Sequence, residues 1–192
     1  MKIIQTKLEG IMIIEPRVFN DQRGYFMELY QCERYRENGI NCNFVQDNLS
    51  YSIQNTLRGL HYQHPHPQVK LVNVIRGKVF DVAVDIRRGS PTFGQWEGVV
   101  LSGDNHRQLI IPEGFAHGFC VLSKYAIFSY KCSDIYTPEA EGGIVWNDPQ
   151  IGIKWPLKNP LLSENDKKYP CLEDLPAQKR PVYSIRSQRN IL

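Results

Sequence analysis

Hydrophobic and polar positions alternate along much of the middle of the chain. Phe80, Val82, Val84 and Ile86 fall on one face of an extended segment, and Val79, Asp81, Ala83 and Asp85 on the other. Over 126–133, Ala126, Phe128, Tyr130 and Cys132 share a face. This period of two marks strands, whose successive side chains point to opposite sides. Two shorter apolar runs read the same way: Val69 to Ile75, ended by Arg76-Gly77, and Leu109-Ile110-Ile111, ended by Pro112. Turn signals at Arg88-Gly89-Ser90-Pro91, Pro112-Glu113-Gly114 and Gly142-Gly143 separate the strands at short intervals. The pattern predicts an antiparallel all-β sandwich or barrel.

Helical periodicity is confined to one short stretch, 31–37, stopped by Asn38-Gly39. From 156 onward, Pro156, Pro160, Pro170, Pro176 and Pro181 break any long element. That region is expected to wrap the barrel as loops and short turns, with a loose last dozen residues. The 192 residues suit one domain. We assign 1–176 to it and 177–192 to a basic C-terminal extension.

Composition narrows the classes. With 42% hydrophobic and 22% charged residues the chain is neither disordered, collagenous nor a coiled coil. No apolar run approaches the roughly 18–20 residues of a membrane helix. The start, Met1-Lys2-Ile3-Ile4-Gln5, has no apolar signal region. The net charge is +3, yet Lys179, Arg180, Arg186 and Arg189 follow Asp174 with no acidic residue among them. The body is therefore near neutral, which argues against nucleic acid as a partner. Five cysteines, with no Cys-x-x-Cys, argue against a zinc site or a disulfide framework. They read as reduced thiols of a cytoplasmic protein.

Three stretches carry polar residues where core strands should be apolar: Leu57 to Gln63, Gln68 to Val72, and Ile111 to Phe119. Together they predict a barrel mouth lined with polar groups. His64-Pro65-His66, Lys70 and Gly77 have the spacing of the first cupin metal motif, and Pro112-x-Gly114-x-x-His117 resembles the second. Lys70 stands where that motif has a glutamate, and Val121 where it has an asparagine. An ammonium in the ligand shell opposes a metal, so we expect the cupin jelly roll with neither metal nor cofactor. Nucleotide-binding glycine loops and a serine elbow are absent from the sequence. What remains is His, Lys and Tyr. A neutral His removes a proton, a Lys cation stabilises the resulting oxyanion, and a Tyr returns a proton from another side.

At this point the chain resembles the dTDP-4-dehydrorhamnose 3,5-epimerase family, sugar-nucleotide epimerases on a cupin fold. The stretches that carry the resemblance run in order from about residue 8 to residue 172. They include Phe19-Asn-Asp-Gln-Arg-Gly24-Tyr-Phe-Met-Glu28, Gln46-Asp-Asn48, Leu57-Arg-Gly-Leu-His61 and Asp81-Val-Ala-Val-Asp-Ile-Arg87. Ser90-Pro-Thr-Phe-Gly94, Ile111-Pro-Glu-Gly-Phe-Ala-His117-Gly-Phe119, Tyr130-Lys131, Glu141-Gly142, Trp146-Asn-Asp148 and Leu162-Ser163 complete them.

The resemblance implies that His61 is the base removing the protons at C3 and C5, which are acidic beside the C4 ketone. It implies that Lys70 stabilises the enolate, Tyr130 reprotonates from the opposite face, and Asp166 orients His61. Arg23 and Arg58 become phosphate or nucleotide contacts, and Arg offers a donor fork suited to phosphate. Glu28, Gln46 and Asn48 become nucleotide contacts, and His117 and Glu141 further substrate contacts. Tyr136 or Phe26 could stack on the base. It also implies a homodimer with exchanged N-terminal strands, in which Arg23 and Glu28 reach the neighbour's site. One departure concerns the Leu-Ser-x-Lys-Asp stretch of relatives, where this chain has Asn165 in place of Lys. A single-carbon epimerase, or one for another nucleotide, uses the same base and acid. A metal-dependent cupin enzyme and a non-catalytic sugar-nucleotide binder are the readings from other classes.

Overall fold

The computed structural model describes residues 1–184. Two antiparallel sheets face each other as a jelly roll. The first has six strands in the order β1 (Lys2–Gln5), β2 (Met12–Glu15), β10 (Gln108–Ile111), β7 (Lys70–Arg76), β12 (Tyr125–Cys132), β5 (Gln46–Ile53). The second has five: β13 (Glu141–Gly143), β6 (Leu57–Gln63), β11 (Phe115–Val121), β8 (Lys78–Asp85), β9 (Trp96–Ser102). A separate hairpin joins β3 (Val18–Asp21) to β4 (Gly24–Met27). The predicted helix is α1 (Cys32–Glu37), where the Gln31 side chain caps the Arg34 amide.

The apolar alternation sorts into three cores. Between the sheets lie Val72, Val74, Val79, Ala83, Leu109, Phe119, Ala126 and Phe128. The outer face of the second sheet, with Leu60, Tyr62, Val82, Val84 and Ile86, is covered by Ile144, Ile151, Leu172 and Leu175 of the C-terminal wrap. The outer face of the first sheet carries Met12, Ile14, Leu71 and Ile110 under Tyr35, Ile40 and Cys42. Both faces of β8 are therefore buried. Asp81 and Asp85 lie on the inward face, where a charge is tolerated only when it is paired. Asp85 accepts two bonds from the Arg87 guanidinium, at 2.9 and 2.8 Å, and one each from Ser90 (2.6 Å) and Thr92 (2.7 Å).

Two expectations need correction. Gly142-Gly143 is not a turn but part of edge strand β13, with Gly142 opposite Tyr62 and Gly143 opposite His61. The glycines are there for close approach: a Cβ on Gly142 would lie 2.5 Å from the Tyr62 ring, and one on Gly143 2.4 Å from the Tyr169 ring. The chain end also differs. Over 181–184 it is tied down, since Arg88 donates to the Pro181 carbonyl (2.8 Å) and Tyr183 donates to the Arg88 carbonyl (3.0 Å). Arg180 donates to the carbonyls of Leu175 and Glu173. Arg186 and Arg189 of the basic extension lie outside the described residues.

β5 reads inside out. Its register puts Gln46 and Asn48 opposite Cys132 and Tyr130, on the inward face. Leu49, Tyr51 and Ile53 consequently point outward and are 69%, 59% and 54% exposed. The inward polar residues wall the barrel mouth.

Candidate active site

A cavity of about 320 Å³ opens between the sheets at one end of the roll, within the usual size of a small-molecule site. Strand phase decides what lines it. On β6, Leu60 and Tyr62 belong to the outer core, so His61 and Gln63 face in. On β7, Val72 and Val74 face the inner core, and Lys70 shares their phase at the open end. On β12, Tyr130 and Cys132 continue the inward row of Ala126 and Phe128. Gln46, Asn48, Gln68, Tyr136 and Glu141 complete the wall.

His61 stands on one sheet, and Lys70 and Tyr130 on the other. The His61 ring shares a 2.6 Å hydrogen bond with Asp166, which is 3% exposed. Asp166 also accepts from the Ser163 hydroxyl at 2.8 Å, and its own amide donates to that hydroxyl. Burial pushes the Asp166 carboxyl up, but the bonds from His61 and Ser163 outweigh it and the net shift is downward. An ionised Asp166 needs a donor in His61, which leaves the other ring nitrogen as the basic one. A loop residue followed by two lysines thus becomes a buried partner of the base.

Burial pushes the Lys70 ammonium down, and neighbouring Cys132, Asp81 and Glu141 oppose that shift. Burial raises the Tyr130 phenol, while Arg58 pulls it back. A phenol in this state keeps its proton until a strong base appears opposite it. Arg58 is exposed and donates to Ser52 at 3.0 Å. It sits three residues before His61, across Gly59. A Cβ on Gly59 would lie 2.6 Å from the Gly118 Cα, and the β6–β11 register slips there. That slip breaks the strict alternation that would hold Arg58 and His61 on opposite faces.

Of the sequence candidates, His61, Lys70, Tyr130, Gln46, Asn48 and Glu141 line the cavity, with Asp166 behind His61. His117 does not line it. It is buried, 3.0 Å from both carboxylate oxygens of Asp81, with its ring 6.1 Å from that of Phe128. Arg23 and Glu28 also lie elsewhere: Arg23 pairs with Asp21 in the exposed hairpin and Glu28 with Arg34. Phe26, a candidate stacking residue, is 68% exposed on the same hairpin. His64 and His66 line a different cavity with Glu113 and Pro181. Among the described residues, no three His, Cys, Asp or Glu side chains are grouped as metal ligands.

Sequence reasoning missed Gln63, Gln68, Cys132, Asp81 as the partner of His117, and Tyr169. Gln63 ties the strand end to the 134–137 loop, accepting from the Thr137 amide and donating to the carbonyls of His66 and Ile135. The signal for Gln63 and Gln68 was available, as amides at the polar ends of strands that are otherwise apolar. None marked Tyr169.

A His–Asp pair, a lysine and a tyrosine converge from two sheets on one cavity, an arrangement suited to acid–base chemistry on a jelly-roll scaffold. The sequence profile of the dTDP-4-dehydrorhamnose 3,5-epimerase family matches residues 5–174. A dTDP-4-dehydrorhamnose 3,5-epimerase of Methanothermobacter thermautotrophicus is 51% identical over 185 residues, covering 95% of this chain and 97% of its own. One from Shigella flexneri is 55% identical over 168 residues, covering 86% and 93%. The crystal structure of a dTDP-6-deoxy-D-glucose-3,5-epimerase from Legionella pneumophila, in complex with dTDP-4-keto-L-rhamnose, superposes with a TM-score of 0.93 at 54% identity. It covers 95% of this chain and 98% of its own. The chain belongs to the dTDP-4-dehydrorhamnose 3,5-epimerase family, and its fold is the cupin-type jelly roll.

Proposed function

We propose that the protein epimerises dTDP-4-dehydro-6-deoxy-D-glucose at C3 and C5, giving dTDP-4-dehydro-L-rhamnose. The observation that carries the reading is the opposition of the His61–Asp166 pair to Lys70 and Tyr130 across one cavity. His61 takes the proton from the carbon beside the C4 ketone. The electron pair of that C–H bond becomes a C=C bond to C4, the carbonyl π pair moves onto O4, and the Lys70 ammonium stabilises the enolate. Tyr130 then gives its proton to the same carbon from the opposite face, inverting it; the phenolate recovers a proton from solvent and the His61 imidazolium releases its own to solvent, so both are reset. Repetition at the second carbon needs no further group. Arg58, Gln46, Asn48 and Glu141 hold the nucleotide and sugar, with His117 supporting the wall from behind through Asp81.

Turnover in deuterium oxide tests this directly. Mass spectrometry should find one deuteron at C3 and one at C5, and chelator should leave the count unchanged. One deuteron would indicate a single-carbon epimerase, and none would refute the substrate. Tyr130→Phe should still wash deuterium into recovered substrate while forming inverted product at least about 100-fold more slowly, the scale of a lost general acid. Full product formation by this variant would remove Tyr130 from the acid's role.

The same reading includes a homodimer that exchanges its N-terminal strands, in a cytoplasmic enzyme. Support comes from the outward apolar row of β5 and from the hairpin, where Tyr25 and Phe26 are 54% and 68% exposed. An apolar row of this kind on a sheet edge is covered in stable proteins. In the dimer Arg23 and Glu28 serve the neighbour's cavity. Mixing inactive Arg23→Ala subunits with inactive His61→Ala subunits should then restore activity, because one mixed site has both residues intact. Monomeric sedimentation, or no restoration after subunit exchange, would overturn it.

A further inference from the structure

Tyr169 follows Asp166 by three residues, in the turn that brings the carboxylate to His61. Its ring centroid lies 5.7 Å from that of His61, with the planes inclined at 69°. Its hydroxyl donates to Oε1 of Glu141 at 3.3 Å, a long bond, while the Tyr136 hydroxyl donates to Oε2 of the same carboxylate. The ring also lies against the backbone of Gly143, the residue opposite His61 across the β6–β13 pair. Tyr169 therefore contacts the base, the strand beside the base and the carboxylate that lines the cavity. It is not itself among the residues lining the cavity.

We infer that Tyr169 is a positioning residue for the base, its ring forming the wall that holds the His61 imidazole in its catalytic orientation. The inference rests on the reading of His61 as the proton-abstracting base. One hydrogen bond to Asp166 fixes a point on the imidazole but leaves the ring free to rock about that bond. An aromatic ring set nearly perpendicular to it removes this freedom, and edge-to-face pairs are the favoured geometry for such rings. The glycine at 143 is what admits the ring, since any Cβ there would occupy the same space. Misplacing a reacting group by about 1 Å can cost up to about 100-fold in rate, so a wall of this kind acts on kcat and not on substrate affinity.

The other groups around His61 are Asp166 behind it, Glu141 on β13, Lys70 on β7, Tyr130 on β12 and the His117–Asp81 pair on β11 and β8. Of these, only Glu141 is touched by substitutions at 169: it loses the bond from the Tyr169 hydroxyl, a loss that Tyr169→Phe isolates.

The test is steady-state kinetics, separating kcat from KM, for Tyr169→Phe, Tyr169→Leu and Tyr169→Ala, alongside His61→Ala. Folding is checked by melting and by dTDP binding. Tyr169→Ala should lower kcat by about tenfold or more with KM within about threefold. Tyr169→Leu restores apolar bulk and keeps the test alive should the alanine variant not fold; it should show the same kcat loss. Tyr169→Phe should retain most of kcat, because it retains the ring. Wild-type kcat in the folded Ala or Leu variant, a raised KM with unchanged kcat, or a loss in Tyr169→Phe equal to that in Tyr169→Ala would each overturn the inference. An active His61→Ala would instead overturn the assignment of the base.

Discussion

Replacement of His61 by alanine is expected to lower kcat by about 10²–10⁴-fold, the range a positioned general base supplies. The loss should appear equally in deuterium exchange at C3 and at C5, because one base serves both carbons. dTDP affinity should stay within roughly tenfold, about 1.4 kcal/mol, since the imidazole acts on the sugar and not on the nucleotide. Equal loss of turnover and nucleotide binding, measured by calorimetry, would mean that His61 holds substrate and does not deprotonate it. Asp166→Asn separates the two parts of the dyad. It keeps the packing, removes the charge that favours the imidazolium, and should give an intermediate loss of kcat.

The second large effect is on stability and lies away from the site. Asp85→Ala is expected to cost about 3–5 kcal/mol, the scale for breaking a buried ion pair and leaving its partner unpaired. Arg87 would lose both of its bonds to that carboxylate, with only 7% of its side chain exposed, and Ser90 and Thr92 would lose their acceptor. The Arg87 guanidinium is otherwise held between the rings of Phe115 and Tyr183, which cannot neutralise it. The wild-type pair also predicts acid sensitivity. Burial pushes the Asp85 carboxyl up, but the bonds from Arg87, Ser90 and Thr92 outweigh it, so its folded pKa lies below the unfolded one. Its contribution is complete above the unfolded value, about 3.9, and is lost as pH falls through the folded value. Urea unfolding at neutral pH and below pH 4 should show the difference between wild type and Asp85→Ala shrinking in acid. A constant difference would exclude the ionised carboxylate as its source.

Much of this architecture was legible in the chain. The phases of β8 and β12 follow from Phe80–Ile86 and Ala126–Cys132, and α1 ends where Asn38-Gly39 stops it. His61, Lys70, Tyr130 and Asp166 were each recognisable only through the residues around them, and the fold brings them together. What alternation could not reveal has particular causes. β5 carries its polar residues inward because one end of the roll is a cavity, so its apolar row misreads as a core face. Gly142-Gly143 looks like a turn because glycine also marks places where rings press on a backbone, and the rings of Tyr62 and Tyr169 are distant in sequence. Asp85 appears as an ordinary solvent-facing charge until the C-terminal wrap covers the far side of its strand. Tyr169 has no local signature, since its role depends on a histidine 108 positions earlier.

His61 and Asp166 are 105 residues apart, and the carboxylate arrives on a segment that follows every strand of the roll. During synthesis the two sheets can therefore close while the base still lacks its partner. The residues that line the cavity all lie between Gln46 and Glu141, whereas the carboxylate bonded to His61 comes from beyond them. In the proposed mechanism, full-rate proton abstraction waits on the docking of that last segment. A chain shortened between Gly143 and Asp166 keeps every strand named above and is expected to lose the carboxylate that orients His61, and with it much of its rate.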